Sequence, residues 1–493
     1  MDATTLALKE ETDFFDTDMY MFQVTGFPHE RGVLVKPVRA PARAQLEVWE
    51  INPRDDRHIP SAGHNDVLFR TSAFSLMNSG NRTLHAPKPS WKVSFEATDG
   101  GGRLAGMGRV NLKSMYNDPA QMREALAWRL FGKAGVPSAR HTYARLAFDA
   151  TYSGLFSVIE QVDKKFLKDH FGKNHRGNLY KAYCGDVGCA TLERRTGPDG
   201  DDSGRHYYTP DSDDRTYRLK TNEHHAAANS YDDLARLIAT INGAGLSGGD
   251  ERFGTDAFRM SVDNIMNARA FLRWASVNLL LGSWDNYFAT PSNYYLYNSG
   301  WQGAEEDFMS APYFTFVPWD YDNCLGIDYF GTKWQYTDIL DWPSNTRRYW
   351  RYHATSRIPL VQNLLRNHDY RRYYLDHLEH LLDTGFNPQS IAGLIGAEGA
   401  GGLWDRVRQG AYLESTTPYG QPFTGRQFSN DEVYRSGCLQ NELRHGNEKS
   451  DGIVNYVRMR YDSARKQLAE LRKTTPRADG AVFPAEMEAL PKA

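Results

Sequence analysis

The chain has 493 residues, 40% of them apolar, 24% charged and 13% aromatic, and 58 Lys and Arg against 61 Asp and Glu leave a net charge of −3. That length exceeds what one hydrophobic core serves, so two or three lobes are expected. The even charge balance argues against a polyanion binder, so no nucleic-acid partner is expected, and no apolar run is long enough for a membrane span.

Residues 1–18 are polar and acidic, without the basic-then-apolar pattern of a signal peptide. A native start at Met1 therefore implies a cytoplasmic protein, and removal of a leader implies an exported or cell-envelope one. Residues 19–75 carry short aromatic and β-branched runs (MYMFQVTGF, GVLVKPV, AQLEVWEI) between turn residues, which predicts a β-rich N-terminal extension. In WKVSF, Trp91, Val93 and Phe95 alternate with Lys92 and Ser94, so Lys92 faces away from the apolar side of a strand. A helix follows, with Asp118 as N-cap, Pro119 at its first position, Gln121 closing a capping box and Glu124 inside it. Strands at 141–148 and 154–159 form a hairpin, Glu160-Gln161-Val162 follows directly, and a helix starts at Lys164. Taken singly, Lys92 reads as a solvated strand lysine and Glu124 as helix surface.

LYKAY places Lys181 in a short strand, and 231–242 reads as an amphipathic helix. The acidic loop 197–215 begins like a calcium loop at Asp199, Asp201 and Ser203, but Pro210 stands where the bidentate glutamate belongs, so it reads as a solvated insertion. CGDVGC holds Cys184 and Cys189 either as a local disulfide in an exported protein or as free thiols in a reducing compartment.

The densest chemistry comes next. An apolar helix over 262–281 leads to Asp285; Asn293 opens an aromatic strand at 294–297; a second strand, 314–318, delivers Asp320 and Asp322. Helix, Asp, Asn, strand, strand, Asp is the order in which protein kinases present a catalytic base and two metal ligands, and a lysine strand, a glutamate helix and a hinge precede it. In that reading Lys92 pairs with Glu124, and the backbone of Glu160 and Val162 grips adenine. Each acidic residue alone would pass for a cap or turn residue. Beyond Gly326 the chain reads as helical, with loops over 395–430 and a frayed tail from 474.

The stretches KPSWKVSF, VNLKSMYNDPAQMREALAWRLFGKAGVPSAR, YSGLFSVIEQVDKKFL, GNLYKAY, VDNIMNARAFLRWASVNLLLGSWDNY, SNYYLY and FVPWDYDNCLG resemble the CotH kinase family of spore-coat-type atypical protein kinases. The resemblance implies an α+β, divergent two-lobed protein-kinase-like fold, divided as a β-rich extension (1–75), N-lobe and hinge (76–171), C-lobe with insertions (172–473) and tail (474–493). It implies ATP with Mg²⁺ or Mn²⁺ as cofactors and a Ser/Thr-bearing protein or peptide as acceptor. Asp285 is then similar to the catalytic-loop aspartate, Asn293, Asp320 and Asp322 to metal ligands, and Lys92 with Glu124 to the phosphate lysine and its partner. Arg82 and Lys181 are further phosphate contacts. The chain departs from ordinary kinases in lacking GxGxxG, HRD and DFG, with WDYD at the metal motif. Adenylylation, ATP-driven ligation of an amino acid such as glutamylation, or a pseudokinase-like coat or adhesion role are the alternatives.

Overall fold

The computed structural model describes residues 14–478 and 483, except 29–32, 63–65, 81, 87, 96–101, 117, 186–187, 195–215, 226–227, 302–306, 330, 342–357, 397–401, 415–442 and 446–447. They divide into two compact units, drawn from 1–128, 139–161 and 389–455, and from 129–138, 162–388 and 456–493. The fold is mixed α/β, with a nine-stranded sheet, a four-stranded sheet, two smaller sheets and many helices.

The first unit is built on nine strands: β1 (Met19–Thr25), β2 (Val38–Arg39), β3 (Gln45–Glu50), β4 (Val67–Thr71), β5 (Ser75–Ser79), β6 (Ser90–Ser94), β7 (Arg109–Lys113), β8 (His141–Phe148) and β9 (Thr151–Glu160), with helix α1 (Arg123–Lys133) between β7 and β8. Their order in the sheet is β2-β5-β6-β7-β9-β8-β1-β3-β4. The N-terminal strands thus belong to the same sheet as the lysine strand, with β1 running parallel to β8. Of the described residues of GVLVKPV only Val38 enters a strand, and Pro37 just before it supplies no N–H to a ladder. Trp91, Val93 and Phe95 lie in the core with Phe22, Val48 and Phe156, as their alternation predicts. The β8–β9 turn is shorter than expected: Asp149 takes a left-handed φ of 49° and its carboxylate accepts from the Gly26 N–H at 2.7 Å.

Two expectations fail in this unit. Helix α1 begins at Arg123, later than the capping pattern places it. Asp118 instead closes a buried turn, accepting from the N–H groups of Ala120 (2.9 Å) and Arg123 (2.7 Å). Gln121, at φ 55°, sends its amide to Glu414 (3.3 Å) and so closes no capping box. Residues 395–430 are not all loop, since Leu403–Glu414 is a helix that lies against β9. Gly410 permits that approach, because a Cβ there would lie 3.1 Å from Leu155 Cδ1.

In the second unit, helix α2 (Lys164–Phe171) precedes β10 (Asn178–Ala182), the two-residue strands β11 (Cys184–Gly185) and β12 (Gly188–Cys189), and β13 (Tyr217–Leu219). Helices α3 (Asp232–Ile241), α4 (Asp256–Asp263) and α5 (Ala268–Leu281) follow, then β14 (Tyr294–Asn298) and β15 (Phe314–Pro318). The small antiparallel sheet runs β13-β10-β14-β15 and packs Tyr295, Tyr297 and Val317 against Phe166, Leu167 and Phe171 of α2. Cys184 and Cys189 form a disulfide across β11 and β12, which settles the alternatives left open for them. The helix expected over 262–281 is two helices. The chain leaves the helix at Asn264–Asn267 to run beside β15, where Asn267 N–H donates to Phe314 O (2.9 Å) and Phe314 N–H to Ile265 O (2.8 Å). The Asn267 side chain then caps α5 through Ala270 N–H at 3.0 Å. Past the tail boundary, Phe483 still packs its ring on Tyr373 and His377. The loop 197–215 lies outside the described residues.

Candidate active site

Helix α5 ends at Gly282, whose φ of 59° and lack of Cβ are both required, since a Cβ would overlap the Tyr456 hydroxyl. The loop beyond it is rigid. Asn286, buried next to Asp285, donates to Asn278 Oδ1 (2.9 Å) and Ser283 Oγ (2.8 Å). Asp285 itself is half-buried, and its carboxylate accepts from Thr290 Oγ1 (2.6 Å) and Asn323 Nδ2 (3.1 Å). These two contacts orient the carboxylate.

Asn293 is bound to the same loop: its Nδ2 donates to Asp285 O at 2.8 Å, which turns Oδ1 outward with no partner among the described residues. Its carbonyl accepts from Trp319 N–H at 3.1 Å, so the residue before Asp320 is tied to Asn293. Asn293 (φ 54°) and Asp320 (φ 63°) both sit in the left-handed region, uncommon for residues with a Cβ and a form of strain concentrated at functional positions. Tyr321 turns into the core, accepting from Trp274 Nε1 (2.6 Å) and donating to Asn278 Oδ1 (3.0 Å). Asp320 and Asp322, either side of it, stay half-buried. Lys181 on β10 stands opposite Tyr295 on β14, its ammonium 5.9 Å from that ring's centroid.

Among the described residues no three His, Cys, Asp or Glu side chains form a metal cage on their own. Asn293 Oδ1 and the carboxylates of Asp320 and Asp322 are hard oxygen donors, the ligand type that Mg²⁺ takes.

In the first unit, buried Glu124 of α1 binds Lys113 Nζ at 2.9 Å. β7, carrying Lys113, is the strand that precedes α1, and β6, carrying Lys92, is its neighbour in the sheet. Lys92 is paired across β6–β7 with Asn111, so Lys92, Asn111 and Lys113 share one face of the sheet. Asn111 donates to Gln161 Oε1 on the same face at 3.2 Å. Glu160 is heavily committed. Its carboxylate takes Arg140 Nη2 at 2.6 Å and Nε at 3.1 Å, and its N–H donates to Arg140 O. Val162 is buried in the core around α2. Arg82 falls in the short turn Arg82–His85, and its side chain lies outside the described residues.

Residues 77–397 match the family described as CotH kinase protein. The chain belongs to that family. Two relatives place this CotH-family chain further: it is 22% identical over 367 residues to the inner spore coat protein H of Bacillus subtilis, covering 73% of this chain and 82% of that protein. It is also 22% identical over 262 residues to the invasin CotH2 of Rhizopus delemar, covering 53% of this chain and 38% of the invasin. No described helix is long and apolar enough to cross a membrane. Sequence reasoning missed Lys113, Thr290 and Asn323. Lys113 was findable, since it lies in the strand directly before α1; a threonine and an asparagine beside better-known acids carry no signal of their own.

Proposed function

We propose that this CotH-family protein is an ATP- and divalent-metal-dependent phosphotransferase with a divergent protein-kinase fold, acting on Ser or Thr hydroxyls of a protein acceptor. The observation that carries the reading is the coupling of Asp285 to Asn293, in which one amide fixes the catalytic loop and presents its oxygen outward. Kinases use the same residue pair for a base and a metal ligand. Asn293, Asp320 and Asp322 would hold Mg²⁺ or Mn²⁺, which would supply positive charge against the phosphates of ATP. Asp285 orients the acceptor hydroxyl and takes its proton as the oxygen bonds to the γ-phosphorus and the β–γ bridge breaks to release ADP. Lys113, held by Glu124, supplies a cation to the phosphates, with Lys92, Lys181 and Arg82 as further contacts. Glu160 and Val162 offer backbone groups to adenine; of these the Glu160 carbonyl and the Val162 N–H suit the role, the Glu160 N–H being spent.

The Cys184–Cys189 disulfide, with relatives named as a coat protein and an invasin, supports an exported or surface location, because disulfides persist in oxidising compartments. The deciding experiment incubates the full chain with γ- or α-labelled ATP, Mn²⁺ or Mg²⁺ and a serine-rich acceptor. Acceptor labelling from the γ position alone is expected. Labelling from α alone would make the chemistry adenylyl transfer, and no transfer with no ATP binding would leave a binding protein. Asp320→Ala should abolish metal-dependent transfer. Asp285→Asn should lower kcat by roughly 10²–10⁴-fold while ATP still binds.

A further inference from the structure

A cavity of about 480 Å³ opens in the helical part of the second unit, away from the residues assigned above. Three arginines line it: Arg252, Arg366 and Arg371. Two carboxylates, Asp250 and Asp341, line it as well, and the Arg366–Asp250 pair closes at 2.7 Å. That pair keeps 44% and 71% of its side chains exposed, so it is weak and open to exchange for a stronger anion. Arg371 uses its Nε on Leu365 O (2.8 Å), which leaves both terminal nitrogens without a partner among the described residues. Arg252 spends one nitrogen on Asn242 O (3.1 Å), and its Nε is buried with no hydrogen-bond partner among the described residues. Phe253 stiffens the array, its ring centroid 4.8 Å from the Arg252 guanidinium and 5.7 Å from that of Arg366. Planar guanidinium forks with open edges match carboxylate and phosphoryl oxygens.

The walls of the cavity are wired to the catalytic loop. Pro359 lines it, and the N–H of the next residue, Leu360, donates to the Tyr287 hydroxyl at 3.2 Å. Tyr287 stands two residues beyond Asp285 and donates to Thr191 O at 2.9 Å, while Asn242, a second wall residue, donates to Leu192 O at 2.9 Å. One short segment thus ties the arginine cavity and the loop carrying Asp285 into one packed body.

We infer that this cavity is a docking site for the acceptor polypeptide, taking an acidic or phosphorylated side chain on Arg252, Arg366 and Arg371. The inference rests on the proposed phosphotransferase reading for the word acceptor, and its test does not depend on turnover. The full chain, without ATP, is titrated against three fluorescein-labelled serine peptides that differ only in flanking Gln, Glu or phosphoserine. The Glu and phosphoserine peptides should bind about tenfold or more tighter than the Gln peptide, the worth of one or two charge-assisted hydrogen bonds. Their ranking separates the carboxylate from the phosphoryl source. Arg366→Glu with Arg371→Glu should bring all three to the level of the Gln peptide. Equal binding of the three to the native chain, or undiminished acidic binding in the variant, overturns the proposal. A salt titration of the native chain guards against misfolding of the variant: the acidic peptides must lose affinity with added salt and the Gln peptide must not. Transfer to the Gln peptide reports separately on the phosphotransferase reading.

Discussion

Two lysine–glutamate pairs in the first unit differ sharply in burial. Lys88 and Glu414 each retain 1% of their side-chain surface, whereas Lys113 keeps 14% and Glu124 3%. Around the first pair β9 supplies several further partners. Lys88 also donates to Leu155 O and lies 4.8 Å over the Phe156 ring, and Glu414 accepts from Leu155 N–H and from Gln121. Burial pushes the Lys88 ammonium down and the Glu414 carboxyl up, each partly offset by the other's charge. Such a pair locks the helix Leu403–Glu414 and the turn before α1 onto β9. The second pair joins a strand to a helix and leaves the lysine side chain partly exposed, as the proposed phosphate contact requires. Access, not residue type, separates the two pairs.

The largest effect that tests this contrast is on stability. Glu414→Gln leaves Lys88 buried without its countercharge and should cost about 3–5 kcal/mol, seen as a lower urea midpoint. Lys88→Met combined with Glu414→Leu should recover much of that loss, and a double variant as weak as the single one would show that the pair does more than pack. Next, Lys113→Met should lower phosphoryl transfer roughly a hundredfold, the scale for removing one charge-stabilising donor, and should also lower the urea midpoint, because it leaves Glu124 buried without its countercharge. Run in parallel, Lys92→Met decides between the lysines: full loss there and none at Lys113 would return the role to Lys92.

His377 provides a third case, buried with no opposite charge beside it. Its Nδ1 meets Ser276 Oγ at 2.6 Å, and burial, with help from Arg273 and His380, brings its pKa down to about 3. The folded state therefore binds fewer protons than the unfolded one between about 6.5 and about 3. Its contribution is full above pH 6.5 and falls as the pH drops, by about 1.4 kcal/mol per unit while His377 stays neutral in the fold. Urea midpoints from pH 7 to 4 should show that slope, and His377→Gln should flatten it. An unchanged slope would assign the acid sensitivity to other groups.

Most of the elements were legible because their signals are local. The β8–β9 hairpin, α2, β10, α3, β14 and β15 follow from alternation, turn residues and helical periodicity within a few residues of where they lie. Asp285, Asn293 and Asp320 stood out because their order along the chain survives without knowledge of the fold. Where the reading slipped, a distant segment had intervened. Gln121 looks like a capping partner until Glu414, 293 residues further on, claims its amide. The 262–281 helix looks continuous until β15 offers Asn267 a carbonyl.

The amino-acid sequence by itself determined the CotH-type succession of strands, helices and acidic residues, since those depend on spacing and residue type. Only the tertiary structure decided that Lys113 meets Glu124, that Thr290 and Asn323 hold the Asp285 carboxylate, and that Arg252 lines one cavity with Arg366 and Arg371, more than a hundred residues further on. Ion pairs and hydrogen bonds act over about 3 Å, and spacing along a chain says little about which side chains folding will bring that close.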